Sequence, residues 1–138
     1  MVSLFGRGLV EGVAKGEMVV SRQALSFLGG VNRFTGKVVD PNSDVYNKSI
    51  SGKILFIRCS VGSTVGAYVI YAICRNNLGP KAIICEKADP MLVTGCAIAG
   101  IPLVDGIRLE VPIGTKTYAL VNGAEGMIKI SDKEEDVC

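Results

Sequence analysis

The feature that most constrains the fold is Lys53-Ile-Leu-Phe-Ile-Arg58, an apolar run with no alternation in it. A strand with one face in water alternates apolar and polar residues. One covered on both faces does not, so this run predicts a central strand of a parallel sheet. It leads into Cys59-Ser-Val-Gly-Ser-Thr-Val-Gly66 and then Ala67 to Asn76, apolar around nearly its whole circumference, before Asn77-Leu-Gly79-Pro80 stops a buried helix. Ala82-Ile-Ile-Cys85 is a second short apolar run. Residues 53–85 therefore predict a βαβ unit.

Asp89-Pro90 supplies an N-cap and a first helical residue, so Met91 to Ala99 reads as a helix ended by Gly100, with Ile101-Pro-Leu-Val104 following as a third parallel strand. Upstream, Gly8 to Ser21 is rich in β-branched residues and is expected to break at Gly12 and Gly16. Ser26 to Val31 and Gly36 to Pro41 are brief extended pieces around turn residues, and Pro41-Asn-Ser-Asp44 is a loop. Downstream, Ile107 to Val111, Thr117 to Val121 and Gly126 to Ile130 read as strands separated by turns at Pro112, Gly114 and Asn122-Gly123. Glycine takes 17 of 138 positions, about 12% against the usual 7% or so, in keeping with short strands and tight turns. The length fits one domain. We place it at residues 1–132, with 133–138 as a polar end expected to fray.

Composition then removes chemistry. The chain has no histidine, so Ser-His-Asp and Cys-His machinery and histidine-ligated metal sites cannot be built from it. Its five cysteines contain no C-x-x-C pair, which leaves no zinc or cluster motif. An odd number of thiols in an apolar setting reads as reduced and cytoplasmic, with Cys59, Cys74 and Cys85 as core filler and Cys138 simply the last residue. A net charge of +2 gives no footprint for nucleic acid. No apolar signal region follows the N-terminus, and Val65 to Cys74 is about half the length that spans a bilayer, so no membrane association is expected.

Where chemistry can sit follows from the predicted strand order. Ser60-Val-Gly62-Ser63-Thr64-Val-Gly66 lies where a parallel strand ends and a helix begins, the edge at which open α/β sheets bind ligands. Free N–H groups and the positive helix end favour an anion there, and Gly62 and Gly66 permit close approach. Two readings stay open: Ser63 or Thr64 merely caps the helix, or the turn holds a phosphate, carboxylate or oxyanion. The segment is neither a Walker loop nor a G-x-S-x-G elbow. A second candidate is Ser26-Phe-Leu-Gly29-Gly30-Val-Asn-Arg33, a glycine pair beside polar groups that also fits an ordinary turn. Arg58 can meet substrate charge or pair with Asp89 or Asp105; Asp40 and Asp105 are expected to make turn contacts.

Taken together, Ser26-Phe-Leu-Gly-Gly-Val-Asn, Thr35-Gly-Lys-Val-Val-Asp-Pro41, Ile50-Ser-Gly-Lys-Ile-Leu55, Gly62-Ser-Thr-Val-Gly66 and Asp89-Pro90 leading into Gly100-Ile-Pro102 resemble the small swivelling-domain subunit of the aconitase X family, most closely its archaeal form. The resemblance implies a three-layer swivelling β/β/α domain, with a parallel central sheet and a second, mainly antiparallel sheet. It implies a hydro-lyase active only as a heterodimer with a large subunit, whose cysteines hold an iron–sulfur cluster of the 4Fe–4S type. This chain would bind no cofactor and no metal itself. In aconitase-type dehydration an iron binds the substrate carboxylate and the leaving hydroxyl as a Lewis acid, while a serine of the swivelling domain takes the proton from the adjacent carbon. Ser63 matches that serine. Gly62, Thr64, Ser26, Gly29, Gly30 and Arg58 are then substrate-binding candidates. Aconitases proper follow the serine with arginine and histidine, which Ser63-Thr-Val-Gly66 lacks. The reaction implied is dehydration of (R)-5-phosphomevalonate to trans-anhydromevalonate 5-phosphate in a modified mevalonate route to isoprenoids. The alternatives are a hydroxyproline dehydratase subunit of the same family and a non-enzymatic anion-binding or assembly module.

Overall fold

A computed structural model describes residues 2–60, 65–109 and 116–137. Its strands are β1 (Val2–Phe5), β2 (Arg7–Val10), β3 (Val13–Val20), β4 (Ile54–Ile57), β5 (Ala82–Cys85), β6 (Leu103–Asp105), β7 (Tyr118–Asn122) and β8 (Met127–Ser131). The helices are a single kinked turn α1 (Phe27–Gly30), then α2 (Val65–Arg75) and α3 (Pro90–Ala99). Strand order is β1-β8-β7-β3-β4-β5-β6-β2. The predicted βαβ unit is present as β4-α2-β5, with β4 between β3 and β5 and parallel to both. β6 continues the parallel core beside β5.

Alternation explains why the apolar runs do not alternate in chemistry. Leu55, Ile57, Ile83, Cys85 and Leu103 pack in one cluster with Val69, Ile70 and Ile73 of α2 and Met91, Leu92 and Cys96 of α3. The intervening Ile54, Phe56, Ala82, Ile84 and Val104 pack in a second cluster with Ala119, Val121, Ile128 and Ile130 of β7 and β8. Each parallel strand therefore buries both faces, and a polar residue at any of these positions loses hydration without gaining a partner.

The antiparallel strands are not the separate second sheet expected from the sequence. They join the same ladder, because β3 is long enough to serve two partners: Val13 to Glu17 pair antiparallel with β7, and Met18 to Val20 pair parallel with β4. Gly16 does not break this strand; it pairs with Ala119 inside β3. The ladder also curls round on itself. Its end strands β1 and β2 are separated in the chain by Gly6 alone, and with consecutive Cα atoms ~3.8 Å apart the two ends cannot be far from each other. Gly6 N–H donates to the Gly126 carbonyl (2.8 Å), and Gly123 N–H donates to the Gly12 carbonyl (2.7 Å), so the β7–β8 turn bridges the seam. The expected strand over Ile107 to Val111 is absent where the chain is described: residues 107–109 have no strand structure, and 110–111 lie outside the described residues, as do Pro112 and Gly114. In the C-terminal segment, Glu134–Asp136 form a 3-10 turn, and Val137 is buried.

An ion pair also closes the seam. Arg7 on β2 donates through Nε (3.0 Å) and Nη2 (2.8 Å) to the carboxylate of Asp105, which ends β6. Asp105 is 3% exposed and also accepts from the Ala88 N–H (3.1 Å). It is more than the turn residue the sequence suggested, and its cation is Arg7 rather than Arg58. The hydrogen-bonded guanidinium holds the Asp105 carboxyl below its ordinary range, against the upward pull of burial and with help from Ala88 N–H. A folded-state pKa depressed in this way stabilises the fold fully above the unfolded value of about 4 and stops doing so as pH falls through the folded value. Arg7→Ala removes the principal cause of the depression, so its acid-unfolding midpoint, followed by circular dichroism, is expected at higher pH than that of the unsubstituted chain. Coincident midpoints would show that the pair does not couple stability to pH.

Candidate active site at the carboxyl edge of the parallel strands

β4 ends at Ile57, and the chain beyond it is held on both sides. Arg58 N–H donates to the Gln23 carbonyl (3.2 Å) and Leu25 N–H to the Cys59 carbonyl (3.0 Å), while the Arg58 carbonyl accepts from Glu86 N–H (3.1 Å). Leu25 and Ser60 form an isolated parallel bridge. These contacts bring the Ser26 segment to the same edge as Arg58 and Ser60. Arg58 is exposed there and pairs with neither Asp89 nor Asp105 among the described residues. Gly62, Ser63 and Thr64 lie outside the described residues.

What leads into and out of that turn is well fixed. Ser60, 6% exposed, donates its hydroxyl to Asp89 Oδ1 (3.0 Å), and the same oxygen accepts from Leu92 N–H (2.8 Å). Asp89 thus caps α3 as the sequence predicts, with Pro90 at the first helical position and Gly100 closing the helix in the left-handed region (φ 74°). Such a cap stabilises a helix by about 1 kcal/mol. Its second hydrogen bond ties Ser60 to α3, a link that the sequence did not signal because the two residues are 29 apart. At the start of α2, a Cβ on Gly95 would lie 3.1 Å from the Cα of Ala67, and one on Gly66 would lie 3.1 Å from Met91. The two helices therefore meet closely in the first described turn of α2.

The second candidate segment behaves as a turn. Ser26 donates its hydroxyl to the Leu28 carbonyl (2.7 Å), Gly29 is in the left-handed region (φ 81°) with open space around it, and Gly30 is buried with its carbonyl accepting from Val39 N–H (2.9 Å). Asp40 makes the expected turn contact, accepting from Asn42 N–H (2.9 Å). Ser21 and Arg22 N–H converge on the Asp44 carboxylate (2.7 and 2.8 Å), which fastens the 40–44 loop beside this edge.

Residues 3–130 match the family described as the aconitase X swivel domain. The chain belongs to that family. The phosphomevalonate dehydratase small subunit of Pyrococcus furiosus is 51% identical over 94% of this chain and 96% of its own length, and that of Thermococcus kodakarensis is 46% identical over 97% and 100%. The crystal structure of Thermococcus kodakaraensis aconitase X in its holo-form superposes with a TM-score of 0.88 at 45% identity, covering 95% of this chain and 99% of that one. A UPF0107 protein solved in solution superposes with a TM-score of 0.83 at 36% identity.

The described thiols are not gathered as an iron–sulfur cluster needs. Ligation needs thiolates converging on one point. Among the described residues no three metal-ligating side chains gather. Burial pushes the Cys85 thiol up to about 12, with the Asp105 carboxylate adding to the shift, and it raises Cys74 and Cys96 as well. These cysteines are protonated packing residues. Among the described residues, no helix is long and apolar enough to cross a membrane.

Proposed function

We propose that this chain is the small subunit of a cytoplasmic hydro-lyase that dehydrates (R)-5-phosphomevalonate to trans-anhydromevalonate 5-phosphate in a modified mevalonate pathway to isoprenoids. It works as a heterodimer with a large subunit that carries an iron–sulfur cluster. The observation that carries this reading is identity of 46–51%, over nearly the full length, with proteins named phosphomevalonate dehydratase small subunit. A swivelling domain suits the role: in its one mixed sheet the parallel strands pack against helices on one face and against the curled antiparallel strands on the other, and in the proposal their carboxyl edge faces the partner.

In the proposed step Ser63 accepts the proton from the carbon next to the one bearing the leaving hydroxyl. The C–H electron pair becomes the new C=C bond, and the hydroxyl leaves with its own bonding pair as hydroxide, which the Lewis-acid iron of the large subunit would accept; the proton held by Ser63 and that hydroxide together make up the water released. A free serine is too weak an acid to act as a base unaided, so the start of α2 and the turn N–H groups must stabilise its alkoxide. Gly62 and Thr64 belong to that turn in the proposal. Ser26, Gly29, Gly30 and Arg58 are the other substrate-binding residues of the proposal.

Reconstitution with the cognate large subunit tests the reading. The complex is expected to dehydrate 5-phosphomevalonate, and neither subunit alone is expected to do so. Turnover of 3-hydroxyproline instead would move the assignment to the other substrate class. Phosphate binding by the isolated chain, with no dehydration by any complex, would favour the anion-binding module.

A further inference from the structure

A helix that is apolar on every side is normally buried on every side. α2 reads that way in sequence, yet only the side bearing Val69, Ile70 and Ile73 is buried; Tyr68 remains 64% exposed and Tyr71 37%. Tyr68, Tyr71 and Arg75 recur at spacings of three and four, so they form one stripe along the helix. Beside it runs the 28–34 segment, in which Leu28 is 49% and Phe34 70% exposed. Asn76 donates its amide to the Arg33 carbonyl (3.1 Å), and the Arg33 guanidinium stands over the Phe34 ring, 5.0 Å from its centre. Between helix and segment is a groove of about 350 Å³ lined by Arg33, Phe34, Tyr68, Tyr71 and Arg75, with no carboxylate among its described lining residues.

We propose that this face seats the large subunit, through a patch of that protein rich in carboxylates. The inference rests on the two-subunit enzyme proposed above. Tyrosine and arginine are the residue types that dominate interface energetics. Fully burying an aromatic covers roughly 150–250 Å², and the exposed fractions of Tyr68, Tyr71, Phe34 and Leu28 supply part of the ~800 Å² that each partner gives to a stable complex. The position also fits. α2 begins at Val65, immediately after the Ser63 segment in the chain, so a partner seated on its first turns lies within a few residues of the proposed base. Two guanidinium groups with no ion-pair partner among the described residues select an acidic surface and disfavour a second copy of this chain, because an isologous contact would set arginine against arginine.

The test measures Kd for the cognate large subunit by isothermal titration calorimetry, with thermal melts as a folding control. Tyr68→Ala is expected to weaken binding about 30-fold or more, the scale of an interface hot spot. Arg75→Glu should weaken it about 10-fold at low salt and less at high salt, as a screened rim charge does. Arg33→Glu, on the segment rather than the helix, gives the same readout if a helix variant fails to fold. Lys129→Glu, on another face, should leave Kd unchanged. Unchanged Kd for folded Tyr68→Ala and Arg75→Glu would overturn the proposal, as would a wild-type homodimer that Tyr68→Ala dissociates. A complex that forms through this face but does not dehydrate phosphomevalonate would leave the docking surface standing and remove the assigned reaction. Failure of the wild-type chain to bind the large subunit would remove both.

Discussion

Ser63→Ala is expected to assemble with the large subunit at wild-type affinity and to lose at least about 10²-fold in turnover, the scale of a missing general base. The expectation rests on the proposed role of Ser63. Three carboxylates at the carboxyl edge of the parallel strands are already occupied, while Glu86, just after β5, is exposed. Asp89 accepts from both Ser60 and Leu92 N–H, Asp105 is held in the ionised form by Arg7, and Asp44 accepts from Ser21 and Arg22 N–H. No histidine is available. A base that acts in the transition state affects kcat and kcat/KM together, whereas a residue that only binds substrate raises KM. The measurement is therefore both constants for the reconstituted complex, with affinity for the large subunit measured separately. Turnover near the wild-type value would end the assignment of Ser63, and a pure KM effect would reduce it to a binding residue.

The parts of this fold that could be read from sequence are those set by neighbours in the chain. The unalternating runs at Ile54 to Ile57 and Ala82 to Cys85 mark strands covered on both faces, and Asp89-Pro90 and Gly100 mark the two ends of α3. The seam of the sheet could not be read. Arg7 and Asp105 are 98 residues apart, and neither has a local pattern that predicts the other. Gly6 looks like any glycine between β-branched residues, yet it is the single link between strands at opposite ends of the ladder. α2 misled for a different reason. Its apolar circumference signals burial but not by what, and among the described residues only one side finds a cover. At the candidate site, the order of strand β4 and then helix α2 was legible, while the Ser60–Asp89 tie depends on the packing of α3.

Gly123→Ala is expected to be among the most damaging single-methyl substitutions at that seam. A Cβ at Gly123 would lie 2.0 Å from the Val10 carbonyl oxygen and 3.3 Å from Pro102 Cβ. The obstacle at 2.0 Å is backbone rather than the end of a flexible side chain, so β2 must move away from the β7–β8 turn. The hydrogen bond from Gly123 N–H to the Gly12 carbonyl and that from Gly6 N–H to the Gly126 carbonyl span the same gap and are strained or lost with it. Overpacking costs about 1–3 kcal/mol, and each buried group left unpaired adds about 1–3 kcal/mol. Stability should fall by roughly 3 kcal/mol or more, and at 2–8 °C per kcal/mol for domains of this size range the melting temperature should drop by about 10 °C or more. Gly52→Ala is the informative control. Gly52 has φ 68° and nothing within 4 Å of a Cβ, so alanine there meets only the left-handed backbone cost of about 1–2 kcal/mol. Steric closure of the seam therefore predicts that Gly123→Ala melts well below Gly52→Ala. If thermal scans place Gly123→Ala at or above the control, the end strands tolerate separation, and the curled ladder is held by its two apolar clusters rather than by the glycine contacts.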